Sequence, residues 1–209
     1  IAWIGGVNFH EQNFLASDVM IKITDPAIAE EIAYVYAMVE NREDIRDMSI
    51  SCTNDTTLLV DGGRINHSII HRRAIALITR AKKSVQVISP LLPDAEFLSA
   101  LTEAMKRGIE IEIIAPKLDT MDGILGLVDS FNLLLLRLKR SDLPIQFKSK
   151  KIHAKVLIVD SKEIIVGSHN FSSRGVRMGT EEIALQSRDE TLVQNALDYY
   201  RTLAGSVND

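Results

Sequence analysis

One cysteine, Cys52, stands among 209 residues, so no internal disulfide can form. That scarcity suits a reducing compartment. No stretch approaches 18 uninterrupted apolar residues, which leaves no candidate for a membrane-spanning helix. The first residues lack the charged-then-apolar pattern of a secretory signal. A cytoplasmic location is the expectation. Basic residues are not in surplus either: 24 Lys and Arg face 28 Asp and Glu, for a net charge of −4. Proteins that grip nucleic acid over their whole surface are usually basic, so that class loses weight, although a local patch can suffice. What is present is ordinary for a globular protein: 46% hydrophobic and 25% charged residues, enough chain to bury a core as one large or two small domains.

Punctuation places the elements. Ile1-Ala2-Trp3-Ile4 reads as a buried strand that stops at Gly5-Gly6. A strand so close to the first residue leads to the expectation of further chain upstream. Residues 17–24 alternate as a strand. Asp25-Pro26 predicts a helix to about residue 40, with Asp25 as its N-cap. Residues 41–55 are polar and predict a linker. Strands and helices then alternate: strand 58–60, helix 65–82, strand 85–88, helix 94–107 ended by Gly108, strand 109–115, helix 119–139 and strand 145–147. Three strands follow without a helix between them (154–159, 163–166 and 182–186), and a last helix covers 190–204. The expected fold is α/β: a mixed sheet with helices on both faces.

An internal repeat runs through this order. Ile4-Gly5-Gly6-Val7-Asn8-Phe9 matches Val166-Gly167-Ser168-His169-Asn170-Phe171. After each Asn comes a polar loop, then an acid that opens a strand: Asp18 in the first case, Glu181 in the second. Two similar halves follow, divided as residues 1–45, the end of a first repeat, and 46–209, a complete second one.

The chemistry concentrates in His153-x-Lys155-x4-Asp160-x6-Gly167-Ser168-x-Asn170. His153 and Lys155 are two apart on a strand, so they share a face. A tight Asp160-Ser161-Lys162 turn brings Ser168 and Asn170 back beside them. The group suits a phosphodiester: Lys155 supplies a cation, while Ser168 and Asn170 supply neutral donors for charge building on the equatorial oxygens. Imidazole can attack phosphorus or protonate a leaving oxygen near neutral pH. A carboxylate on its other ring nitrogen would fix the tautomer, and Glu181 is the choice for that role. Asp160 more simply orders the turn. Six fixed residues at this spacing arise by chance on the order of once in 10⁸ positions.

These residues resemble the phospholipase D superfamily, whose signature is H-x-K-x4-D-x6-G-S-x-N. The resemblance covers nearly the whole chain. It implies a catalytic set of His153, Lys155, Asp160 and Glu181. It implies phosphate binding by Lys155, Ser168, Asn170 and Asn8, with Gly167 and Asp18 in support. It implies two such motifs meeting at one site, a phosphohistidine on one His, and no metal or other cofactor. The first motif's His, Lys and Asp would precede Ile1, so upstream chain or a second subunit must supply them. The second His of two-motif relatives often acts as general acid, which would make His153 that acid. Among relatives, cardiolipin synthases and phospholipases D make a phospholipid the expected substrate, with peripheral contact to a membrane's inner face. A nuclease of the same superfamily and a non-catalytic phosphate-binding module are the rivals. The run GSHNFSSRG (167–175) is common to lipid-acting and nucleic-acid-acting branches, and Gly179 stands where lipid-synthesising relatives often carry Asn.

Other residues have plainer readings. His169 should point away from Ser168 and Asn170 into packing. His67 and His71 have a spacing that could hold a metal, but lack a third ligand and read better as an exposed helix face. Lys148, Lys150 and Lys151 are a solvated loop or a steering patch for an anion. The apolar stretch 124–138 reads as a core helix before a membrane-interface one. Phe9 and Phe171, equivalent in the repeat, are expected to pack behind the site.

Overall fold

A computed structural model describes residues 1–7, 15–41, 43–117 and 143–206. Asn8, Phe9, the predicted helix 119–139 and the apolar stretch 124–138 within it lie outside the described residues. A two-stranded antiparallel hairpin of β1 (Ala2–Gly5) and β2 (Met20–Ile23) comes first, followed by α1 (Pro26–Glu40). The remaining strands are β3 (Met48–Ser51), β4 (Thr56–Gly62), β5 (Ser84–Ile88), β6 (Glu110–Pro116), β7 (Ile145–Lys148), β8 (Val156–Val159), β9 (Glu163–Gly167) and β10 (Glu181–Ser187). They form one sheet in the order β3-β4-β10-β9-β8-β5-β6-β7. Pairing is antiparallel from β3 to β5 and parallel from β5 to β7. The helices of this part are α2 (Ile69–Arg80), α3 (Ala95–Lys106), the short α4 (Ser173–Met178) and α5 (Glu190–Gly205).

Local chemistry explains the boundaries. Asp25, extended, accepts from the backbone N–H of Ala27 at 2.8 Å, and Pro26 occupies the first turn, where no donor is missed. The sheet is mixed and covered on both faces, as the sequence pattern requires. Leu59, Val87, Leu157, Ile165 and Ala184 face α2 and α3. Ile88, Val156, Ile158, Ile164 and Val166 face α5. Leu58, Val60 and Leu185 continue that second face under the β1–β2 hairpin and α1. Central β8 is buried at every residue, which is why its sequence is unbroken Val-Leu-Ile-Val.

Three expectations need correction. Residues 41–55 are not only linker, because Met48–Ser51 pairs with β4 as an edge strand. Its half-exposed, alternating residues hid it among polar neighbours. Ile1–Ile4 is not a buried run: Ile4 is buried, whereas Trp3 is 57% exposed. Lys148 is neither a solvated nor a steering lysine. It is buried, and its Nζ donates to the carbonyls of Ala204 (2.9 Å) and Ser206 (3.0 Å), closing the C-terminal end of α5. The last carbonyls of a helix have no partner of their own, and a cation there also suits the helix dipole.

Lys148→Met should therefore lower stability by about 1–3 kcal/mol, because it leaves those carbonyls unpaired. Urea unfolding checks it, with an unchanged midpoint as the outcome that removes the cap from the account.

Candidate active site

His153 precedes β8, where the chain meets residues 15–19. Ser17 and Ile152 form a parallel bridge. Ser17 N–H donates to Lys151 O at 2.8 Å, and His153 N–H donates to Ser17 O at 2.9 Å. This backbone stitch carries Asp18 to His153. The imidazole Nδ1 donates to Asp18 Oδ2 at 2.7 Å. An ionised carboxylate only accepts, so this bond places a proton on Nδ1 and leaves Nε2 as the ring nitrogen not engaged by Asp18. Asp18 is in turn fixed by Val19 N–H, 2.8 Å from Oδ1. Its side chain is almost fully buried, while that of His153 is 19% exposed.

Lys155 is buried beside this pair. Its Nζ lies 2.9 Å from Nδ1 and 3.0 Å from Nε2 of His153, and also donates to the carbonyl of His153. Nδ1 is spent on Asp18, so Nε2 is the ring atom able to accept from the ammonium. Burial pushes the Lys155 pKa down to about 8, against the upward pull of Asp18 and Glu182. Gly6 leaves the room for this: a Cβ there would come within 2.9 Å of Asp18 Oδ1 and 3.1 Å of Lys155 Nζ. Gly6 is a site residue that motif spacing did not reveal.

The hairpin does return the Gly167-Ser168-His169-Asn170 segment to this end of the sheet. Ser168 Oγ donates to Glu182 and accepts from Ile183 N–H at 3.0 Å. Asn170 Oδ1 is buried without a hydrogen-bond partner among the described residues.

Two sequence assignments fail on geometry. Glu181 is exposed, and the carboxylate bonded to His153 is that of Asp18. Asp160 sits at the opposite end of β8 from His153 and cannot join it in catalysis. Asp160 and Ser161 both have left-handed backbone (φ 55° and 53°), as a primed hairpin turn demands. The Asp160 carboxylate accepts from the N–H groups of Lys82, Lys83 and Ser84. Burial raises its pKa, but those three N–H groups outweigh it and hold the carboxyl below its usual range.

The repeat is visible as a hydrogen bond made twice. Gly6 N–H donates to Val19 O at 3.2 Å, and Ser168 N–H donates to Ile183 O at 2.9 Å. The preceding glycines are pressed against the same carbonyls: a Cβ would lie 2.1 Å from Val19 O at Gly5 and 2.2 Å from Ile183 O at Gly167. Val19 thus corresponds to Ile183, and Asp18 to Glu182 rather than Glu181. The tandem acids made the register ambiguous; the acid directly before the β-branched residue was the usable signal. A cleft of about 410 Å³ opens beside Ser168 and Glu182, with Trp3, Met20, Tyr36 and Val39 among its walls.

A family profile described as cardiolipin synthase, PLD-like domain, matches residues 74–203. The chain is 29% identical over 127 residues to cardiolipin synthase A of Wigglesworthia glossinidia brevipalpis, covering 60% of this chain and 25% of that protein. It is 30% identical over 149 residues to a cardiolipin synthase of Geobacillus thermodenitrificans, covering 69% and 29%. The chain thus spans about a quarter of the length of these relatives. In fold it is similar to a phospholipase D family member, Nuc, from Salmonella typhimurium (TM-score 0.56, 20% identity, 72% of this chain and 95% of that one). It is also similar to a phosphatidylserine synthase of Haemophilus influenzae (TM-score 0.56, 14% identity, 84% and 44%).

Asp18→Asn removes the larger upward pull on Lys155, so the lysine pKa should fall further below about 8. NMR titration of the Lys155 side chain tests this; an unchanged value would mean that the two groups do not interact.

Proposed function

The chain belongs to the cardiolipin synthase, PLD-like domain family, and on that premise we propose that it forms one half of a phospholipase D-type centre that cleaves and transfers phosphodiesters of phospholipids. The observation that carries this reading is the Asp18–His153–Lys155 cluster: an imidazole fixed through Nδ1, with a buried ammonium beside its free Nε2. That pairing suits a phosphodiester, whose single negative charge needs a cation and whose leaving oxygen needs a proton.

In this mechanism Lys155 turns from His153 to a non-bridging oxygen. Asn170 adds a neutral donor, and Asn8 is proposed to add another. A second imidazole, carried by upstream chain or another subunit, attacks phosphorus to form a phosphohistidine. As the P–O bond to the leaving alcohol breaks, His153, proton-bearing at both nitrogens in that state, gives its Nε2 proton to the departing oxygen. The acceptor, an alcohol or water, then loses a proton to Nε2 as its oxygen attacks phosphorus and frees the second imidazole. Asp18 supports the charged form of His153 throughout. Its counterpart Glu182 is the matching support for the second imidazole, and engaging it would release Ser168 Oγ toward phosphate.

The cleft favours a lipid over nucleic acid, because Trp3, Met20 and Val39 offer an acyl chain apolar walls. The net charge of −4 points the same way.

The test is made in a polypeptide or assembly that holds both His-x-Lys motifs. Wild type should turn over phosphatidylglycerol vesicles, and His153→Ala should cost about 10²–10⁴-fold in kcat. Wild-type turnover in that variant would remove His153 from the chemistry. Preference for single-stranded DNA over vesicles would move the assignment to the nuclease branch. Lys155→Met should raise KM for the phosphodiester with the thermal midpoint little changed. The binding that depends on the ammonium should weaken as pH rises through about 8, where the free site loses that proton.

A further inference from the structure

Behind Ser168 and Asn170 lies a group of four rings that the mechanism above does not use. His71 of α2 and His169 of the motif are both buried, at 4% and 3% exposure. This corrects the expectation that His71 lies on an exposed face: α2 turns that residue toward the sheet. Their ring centroids are 5.8 Å apart. Phe97 of α3 and Phe171 complete the cluster, stacked at 5.6 Å. Two imidazoles in such a setting need a reason, because an unpaired buried nitrogen costs about 1–3 kcal/mol that another Phe would not.

Three observations supply it. Phe171 N–H donates to His169 Nδ1 at 2.9 Å, so the ring proton of neutral His169 sits on Nε2. Nε2 of His169 is buried without a hydrogen-bond partner among the described residues, and so is Nε2 of His71. Phe171 itself has left-handed backbone, φ 51°, which a bulky side chain adopts only when its surroundings enforce it. Two orphan nitrogens on neighbouring rings, one of them bearing a hydrogen, suit a shared partner. Rings 5.8 Å apart are too distant for a good direct hydrogen bond and leave the span of one bridging water.

We infer that His71 and His169 form a neutral relay, Nε2–H of His169 donating to a bridging water that donates to Nε2 of His71, and that this relay locks the strained turn at Phe171 and so aims Ser168 and Asn170 into the site. His71 is then a positioning residue about one helix layer behind the chemistry. The relay needs both rings uncharged. Burial lowers both pKa values, that of His169 to about 3 with His71 adding to the effect. The clamp stands on the packing alone; its link to turnover rests on the phosphodiesterase reading above.

The first test is therefore independent of activity. Imidazole ¹⁵N shifts of the chain, assigned by single His substitutions, should show His169 as the Nε2–H tautomer and His71 as the Nδ1–H tautomer at pH 7. Protonated Nε2 on His71, or an imidazolium on either ring, overturns the relay. His71→Phe removes the acceptor, and the Phe171 amide should then exchange about tenfold faster, the loss of one hydrogen bond, while β5 amides keep their rates. His71→Gln, whose carbonyl can accept, should restore slow exchange. Unchanged Phe171 exchange in the Phe variant sinks the proposal; if that variant does not fold, the tautomers and the Gln variant decide. In the two-motif enzyme, His71→Phe should lower kcat with little change in KM and His71→Gln should recover it. Expected tautomers with unaltered kcat in His71→Phe would keep the clamp, refute its positioning role and leave the phosphodiesterase reading untouched.

Discussion

The hydrogen bond between Asp18 and His153 organises the site, because it joins two parts of the chain separated by 135 positions in sequence. Everything near it serves that contact. The Ser17–Ile152 bridge fixes the approach of the two segments, Gly6 clears space, and Lys155 feels the negative charge of Asp18 and Glu182. Burial gives the arrangement its force. It drives the Lys155 pKa down, against the upward pull of the carboxylates of Asp18 and Glu182.

The repeat gives this contact its meaning. A carboxylate that follows the first Gly-Gly segment holds an imidazole that precedes the second Gly-Ser segment. The doubled hydrogen bond, Gly6 to Val19 and Ser168 to Ile183, shows that the two halves solve the same local problem: a glycine pressed against a strand so that the next residue can turn toward the site. By that symmetry Glu182 is the counterpart of Asp18.

Much of the fold was legible because its causes are local. Asp25-Pro26 starts a helix through capping alone, and Val156–Val159 is central because only a doubly covered strand is so uniformly apolar. The face shared by His153 and Lys155 follows from the period of a strand. What escaped depends on partners far away in sequence. Nothing around Lys148 tells of the carbonyls at residues 204 and 206, and nothing around His71 tells of His169. Asp160 misled because its spacing belongs to the motif while its bonds belong to a turn. Glu181 misled because the next residue is also an acid, and one step along a strand exchanges one face for the other.

The stitch at Ser17 also has a kinetic side. Residues 15–23 find their place only against residues 151–154, after the strands that carry those residues exist. Closing so long a loop is slow, and it comes late relative to the hairpin contacts of β8 and β9. A chain with its large sheet assembled but residues 15–23 undocked would hold His153 without Asp18. Such an intermediate would be compact, and its imidazole would gain a carboxylate partner only in the last step of folding.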